Sequence, residues 1–496
     1  MNRKLILILT LLLASVLLFS ACGGNVAEQE TGGKELEFKS NGNGTCAVSG
    51  IGTYTDTEIV IPTTSPAGDR VTGIGGAAFK NCTNLTGVVI PSGVTYIGYE
   101  AFNGCTGLTT ITLPESITSV GEKAFYNCEN LQYTIYENAQ YLGNERNPYV
   151  ALINATDTEI PYCTIHPSTK VIGVSAFENC YNLESIAIPA GVAGVGIRAF
   201  CKCYSLGSIT VDKENPVFHS AGNCLIKTAT KTLVAGCSNS KIPADGSVTK
   251  IGDYAFYDCP VPWLTLVIPD GVTSIGASAF VHSGLLIDVV FPNTLTSIGK
   301  SAFGACTYLT SVTIPDSVIK IGACAFSDCL SLTNVTIGSN VASIGVGVFQ
   351  SCSNLERITV SKKNTAYHST GSCLIETASK TLIAGCKTSV IPTDGSVSKI
   401  ENYAFYFQKD LLSVVIPNSV TSIGRDAFSG CTGLTSVTIP DSVISIESYA
   451  FYGCESLTEI TYQGTMEQWG AIEKINFWDV GTGEYTIYCT DGDIAK

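Results

Sequence analysis

Cysteine has the widest chemical reach here: 21 residues in a chain of 496, beside only four histidines. In an exported chain that number first suggests disulfides or metal ligation. Eleven of them share one place, three residues after a phenylalanine: Cys82, Cys105, Cys128, Cys180, Cys203, Cys259, Cys306, Cys329, Cys352, Cys431 and Cys454. Ser283 and Gln408 fill the same place twice more. If these positions stack, neighbouring thiols lie about 5 Å apart with parallel Cβ vectors, whereas a disulfide needs Cβ atoms about 3.8 Å apart and a χ3 near 90°. The column therefore reads as buried free thiols packed as small hydrophobes. Cys201 and Cys203 flank a single residue and make no zinc motif. Cys224 with Cys237, and Cys373 with Cys386, are the pairs that a hairpin would bring together if any disulfide forms. Of the histidines (His166, His219, His282 and His368), His219 and His368 occupy equivalent places 149 residues apart and read as structural. No G-x-S-x-G, H-E-x-x-H or phosphate-loop pattern stands in a working context. Asp270, Asp316 and Asp441 sit at turn positions, the ordinary place for aspartate. The expectation is a protein without catalytic residues, metal or cofactor, with carboxylate pairing across the fold left open.

The elements that position these residues are copies of one another. Ala-Phe recurs at Phe79, Phe102, Phe125, Phe177, Phe200, Phe256, Phe280, Phe303, Phe326, Phe405, Phe428 and Phe451, with Val348-Phe349 as a thirteenth copy. The spacing is 23 residues, once 24, with longer gaps of 52, 56 and 56. In one unit, Leu309, Val312 and Ile314 give the L-x-x-L-x-L pattern. Alternation at Val312 and Ile314 predicts a short strand with Ser311 and Thr313 turned outward. Pro315 ends that strand and Gly322 lets the chain turn again. Val318, Ile321, Ala325, Phe326 and Cys329 then return to the interior. One such coil cannot bury its own apolar side, so neighbours must stack.

The motif I-P-x-x-V-x-x-I-G-x-x-A-F-x-x-C-x-x-L, at residues 314–332 and again, with Glu447 in place of its glycine in the last copy, at 416–434 and 439–457, resembles the BspA-like leucine-rich-repeat family of bacterial surface proteins. The resemblance covers roughly residues 57–462, with Cys where many leucine-rich repeats carry an Asn ladder. It implies a β-rich solenoid of stacked coils, with parallel strands along a concave side, and surface adhesion or ligand binding rather than catalysis.

The outward place on the strand is held by Thr112, Thr210, Thr313, Thr336, Thr359, Thr438 and Thr461. Stacked threonine suits any flat β face; read functionally, it is a hydroxyl-lined surface for protein or glycan. Tyr254, Tyr403 and Tyr449 precede the Ala-Phe turn, and Tyr126, Tyr257, Tyr406 and Tyr452 follow it. Tyrosine joins apolar area to a polar tip, so these read either as turn packing or as an adhesive ridge.

The long gaps hold inserts at about 133–166, 209–243 and 358–392. Residues 224–237 and 373–386 match closely, and two apolar bursts around a polar turn predict a β-hairpin. Each module should replace one coil and let the solenoid of residues 62–462 continue. Residues 35–61 are expected to form an N-terminal β cap. A C-terminal cap over 463–496 should carry Met466, Trp469 and Ile472 at helical spacing.

Residues 1–21 have a positive start, an apolar run at 5–19 and a small-residue end before Cys22, which is an export signal. Leu18-Phe19-Ser20-Ala21-Cys22 resembles a bacterial lipobox, which makes Cys22 the lipid attachment site. Residues 22–34 then read as a flexible tether. Charged residues are only 14% of the chain and net charge is −14 with no basic cluster, which excludes a nucleic-acid surface. The expected partner is an extracellular protein or glycan, with membrane contact through the lipid alone. The alternative is an envelope scaffold without an external ligand.

Overall fold

The computed structural model describes residues 35–496; Cys22, the signal and the tether lie outside the described residues. The repeat winds into coils, and each coil makes three backbone ladders with its neighbours. The first is the expected strand. Ser311–Ile314, Asn334–Ile337 and Arg357–Val360 pair in parallel, with Val312 opposite Val335 and Val335 opposite Ile358. The register is one repeat, and a one-residue slip would turn Val312 and Ile314 outward.

The second ladder was not expected. After Pro315 and the buried Val318, Lys320–Ile321 forms a two-residue strand, paired in parallel with Ser297–Ile298 before it and Ser343–Ile344 after it. Two residues with a single apolar side chain carry too little alternation to signal a strand. The following glycine serves close approach rather than the turn: a Cβ on Gly322 would lie 2.4 Å from the backbone nitrogen of Lys300.

The third ladder runs through the Ala-Phe turns. The N–H groups of Ser301, Phe303 and Ala305 donate to the carbonyls of Ala323, Ala325 and Ser327 at 2.9, 2.8 and 2.8 Å. Aiming alternate N–H groups at the next coil puts Ser301 and Ala305 in the left-handed region (φ 52° and 55°). Each such residue costs about 1–3 kcal/mol. Burial of the phenylalanine between them returns roughly 1.5–3 kcal/mol, and the ladder bonds add to it. The rings stack: Phe303 lies 5.4 Å from Phe326 with planes 4° apart.

The three inserts are three-stranded antiparallel meanders rather than simple hairpins. They comprise Thr134–Tyr136, Ala139–Leu142 and Ala151–Ala155 in the first; Phe218–Ala221, Cys224–Lys227 and Thr232–Ala235 in the second; and Tyr367–Thr370, Cys373–Glu376 and Thr381–Ala384 in the third. In each, the last strand pairs in parallel with the next coil's short strand, so the short ladder restarts there.

The core does not run through these modules unbroken. Cys373, Ile375 and Leu382 face one cluster of buried side chains, while Leu374, Ile383 and Cys386 face the cluster before it. With both faces covered, the strand reads Cys-Leu-Ile without polar alternation. The same division occurs at the first and second modules, giving four core segments. Asn364 secures one junction: its Nδ2 donates to the carbonyls of Gly338 and Val341 at 2.9 and 3.0 Å, and its Oδ1 accepts from the N–H groups of Ala366 and Tyr367. Asn215 repeats the arrangement at the second module.

At the N-terminal end a hairpin, Glu37–Ser40 with Thr45–Gly50, feeds the short ladder through Arg70–Ile74. Glu58–Val60 already pairs as the first long strand, so the coils begin inside the span read as cap. At the other end, Thr465 and Gln468 cap the helix Met466–Ala471 reciprocally, which places Trp469 inward. Trp469 packs on Tyr462 and Trp478, and the strand Thr486–Cys489 adds to the long ladder.

A Cβ on Gly385 would meet the Phe405 ring at 2.0 Å, as one on Gly236 would meet Phe256 at 1.9 Å. Gly385→Ala should therefore destabilise the last two segments by about 1–3 kcal/mol. The check is the urea midpoint read by tryptophan fluorescence, since Trp263 and Trp469 report on the third and fourth segments; an unchanged midpoint would contradict the packing described.

Candidate functional site

The seven threonines do not form one column. Thr313, Thr336 and Thr359 stand directly opposite one another on adjacent strands, and Thr438 stands opposite Thr461. Thr112 pairs with Val89 and Thr210 with Ala187. The three modules break the long ladder, and the coils at the start of a segment carry exposed valine instead: Val60 and Val89, Val267 and Val290, and Val415. The face is thus a series of patches: the first, third and fourth segments pass from valine to threonine, and the second from Ala187 to Thr210.

Within the described residues, no hydrogen bond engages the hydroxyls of Thr313, Thr336 or Thr359. Two other threonine columns bond from coil to coil. Thr310 and Thr333 donate to the carbonyls of Ile287 and Thr310 one coil back, at 3.2 and 3.1 Å. Thr273 and Thr296 do the same on the short-strand side, to Thr249 and Thr273. These stitching threonines escape a reading from the sequence because they sit beside the strands rather than on the alternating face. Their signal was available as Leu-Thr before the strand, at a 23-residue spacing.

Tyrosine gives no continuous ridge. Tyr126 and Tyr452 are exposed, while Tyr257 and Tyr406 are half-buried. Tyr254 lies 5.6 Å from Tyr257 and Tyr403 lies 5.5 Å from Tyr406, each pair on the first coil after a module. Tyr449 and Tyr452 pair at 5.7 Å near the C-terminal cap.

All cysteines among the described residues are free. Where a column cysteine sits on a coil stacked directly on the one before, its thiol donates to the carbonyl of the phenylalanine one coil earlier, as Cys329 does to Phe303 at 3.3 Å, Cys352 to Phe326 at 3.1 Å and Cys454 to Phe428 at 3.2 Å. Cys180, on the first coil after a module, points at the Asp157 carbonyl instead. Gln408 takes the same role across a module, its Nε2 reaching the Cys352 carbonyl at 3.1 Å. Cys224 and Cys237 face different core segments, as do Cys373 and Cys386, so the module keeps apart the pairs that a hairpin could have brought together. Burial pushes Cys180, Cys306 and Cys454 up to about 12. Such thiols are neutral and inert at neutral pH.

The histidines have structural partners. His219 and His368 bond Thr228 and Thr377 through Nδ1 at 2.9 and 3.0 Å. His166 stacks on Tyr149 at 3.7 Å, and His282 lies 3.8 Å from Asp258. Among the described residues no cluster of His, Cys, Asp or Glu could hold a metal, and no helix is long and apolar enough to cross a membrane. Two carboxylates do meet across coils, at Arg198, whose Nη2 lies 3.5 Å from Glu122 and 2.9 Å from Glu178. Burial works against the Arg198 charge, but the bond it donates to Glu178 and the fields of both carboxylates hold its pKa above the ordinary value.

The thiol column makes stability fall in alkali. Cys180, Cys306 and Cys454 lose their protons near 9.0 when unfolded and near 12 in the native protein. The contribution is therefore complete below pH 9 and is lost as pH rises toward 12, by about 1.4 kcal/mol per pH unit per thiol. Urea midpoints compared between neutral pH and about pH 10.5 should drop, while iodoacetamide labels native thiols slowly; a midpoint that held or rose in that window would contradict the buried column.

The sequence model of the BspA type leucine rich repeat region matches six copies, over residues 64–146, 155–229, 227–288, 273–394 and 398–473. Among solved structures, the chain is similar to a leucine-rich repeat protein from Bacteroides ovatus, at 25% identity and a TM-score of 0.35, covering 91% of this chain and 98% of that one. A leucine rich cell surface protein from Faecalibacterium prausnitzii matches at 24% identity and a TM-score of 0.28, over 91% and 99% of the two chains. The pneumococcal vaccine antigen PcpA matches at 20% and 0.37, over 74% and 91%. No functionally curated protein matches. The repeat motif, the ladders it builds and the family match over most of the chain give one conclusion: this protein belongs to the BspA-type leucine-rich-repeat family.

Proposed function

We propose that this is an exported protein, lipid-anchored through Cys22 at the cell surface, that binds an extracellular protein or glycan through its long-strand face. The observation that carries the reading is the in-register row Thr313, Thr336 and Thr359, whose hydroxyls the protein itself leaves unused. Structural threonine in this fold is hydrogen-bonded from coil to coil, as Thr310 and Thr333 are. A row that is not so engaged is available to a partner. Parallel strands repeat about every 4.8 Å, so a partner meets equivalent donors and acceptors at regular steps. Several patches on one rigid solenoid raise avidity without a single tight pocket. A multiply acylated Cys22 would supply the anchor, at about 0.8 kcal/mol per buried methylene.

Two experiments test this. Full-length protein is applied to an array of matrix proteins, mucins and glycans beside a Thr313→Lys, Thr336→Lys, Thr359→Lys variant of unchanged melting temperature. Specific binding that falls by roughly tenfold or more in the variant supports the reading. Binding to nothing on the array would instead favour an envelope scaffold. Separately, Cys22→Ala should move the protein from the membrane fraction to the soluble one; a variant still membrane-bound would refute the lipid anchor.

A further inference from the structure

Where two coils stack directly, the N–H groups of one Ala-Phe turn are consumed by the next turn. At the first module this ladder stops. The carbonyl of Ala176, which Phe125 would use by that pattern, accepts instead from the Ala155 N–H at 2.8 Å. The N–H groups of Lys123 and Phe125 have no partner among the described residues. At the second and third modules Gly236 and Gly385 stand in the place of Ala155, and each lets the following phenylalanine ring close in. The gap at the second is about 20 Å³, room for little more than one water. At the third, the Ser351 N–H reaches across to the Tyr406 carbonyl at 3.2 Å. The first junction stays open as a cleft of about 200 Å³ between the first and second core segments.

The chemistry lining this cleft is mixed and balanced. Glu122 and Glu178 offset Lys123 and Arg198, so the site is neutral overall. Donors are the free backbone N–H groups of Lys123 and Phe125, two of the residues that line the cleft. Acceptors are the carboxylate lone pairs left over from the Arg198 bonds. The Ser175 hydroxyl lies 3.1 Å from Arg198 Nη2 and can act either way. Tyr126 is exposed at the edge and offers an aromatic face, with half-buried Tyr133 further in. An ion would upset the charge balance, and an apolar group would leave the buried polar atoms unpaired at a cost of about 1–3 kcal/mol each. A ligand that donates and accepts around its rim, has an apolar face and carries no charge meets every feature. The volume is below the roughly 300–1,000 Å³ of drug-sized pockets, which fits one ring rather than an oligomer.

We propose that the cleft between the first two core segments, lined by Glu122, Lys123, Tyr126, Ser175, Glu178 and Arg198, binds a single neutral sugar ring, free or at the end of a glycan. This site is separate from the threonine row, and either can fail without the other.

The test is saturation-transfer NMR on the full-length protein with methyl β-galactopyranoside, methyl α-mannopyranoside and methyl N-acetyl-β-glucosaminide. Acetate and methylammonium serve as charged probes. Saturation transfer to at least one glycoside, weakened by roughly tenfold in Tyr126→Ala and in Glu178→Gln and unchanged in Thr336→Lys, is the expected result. Tyr126 is exposed, so its removal should leave the melting temperature unchanged and the loss attributable to the site. Transfer to none of the glycosides, transfer indifferent to Tyr126→Ala, or preferential binding of acetate or methylammonium would each overturn the proposal.

Discussion

A coil of 23 residues has one apolar side and no means of covering it alone, and the rest of the structure follows from that constraint. Stability comes from three ladders between coils, from the stacked phenylalanines and from the thiols that bond back to them. The strained turns flanking each phenylalanine are kept because they aim N–H groups at the next coil. Anything that interrupts the stack must therefore meet these demands or leave groups unpaired. The modules meet most of them: their last strand restarts the short ladder, Asn215 and Asn364 pair carbonyls of the coil before, and their two faces cover both neighbouring cores.

Much of this was legible in the sequence, because the repeat imposes the same side-chain pattern many times over. The interior column of Phe326, Cys329, Val312 and Ile314 could be read from a single unit and checked against the others. The short strand at Lys320–Ile321 was not legible, since two residues hold no period. Neither was the division of the core: Cys-Leu-Ile at 373–375 reads as one apolar burst, and its two opposite faces emerge only when each has a partner. The disulfide pairing considered for Cys224 and Cys237 fails for that same reason. Asn364 carried a signal in its copy at Asn215, but a lone asparagine in a turn has many ordinary explanations.

Functional surfaces on such a fold are what the repeat leaves over. Thr313, Thr336 and Thr359 were visible as an outward row, but the sequence could not distinguish them from Thr310 and Thr333, whose hydroxyls are spent on the preceding coil. The cleft beside Arg198 was invisible, because Glu122 and Glu178 are separated by the whole first module in sequence. It arises where the turn ladder lapses, and no motif marks a lapse.

Direct stacking satisfies the alternate turn N–H groups that aim at the next coil, and the modules interrupt it. Residue-resolved hydrogen exchange on the full-length protein tests this most directly. Amides of Phe79, Phe102, Phe280, Phe303 and Phe428 should be strongly protected, and those of Phe125 and Phe200, which lack a carbonyl to donate to, should exchange orders of magnitude faster. Equal protection at Phe125 and Phe102 would contradict the account, since it would mean that the stack passes through the first module without a break.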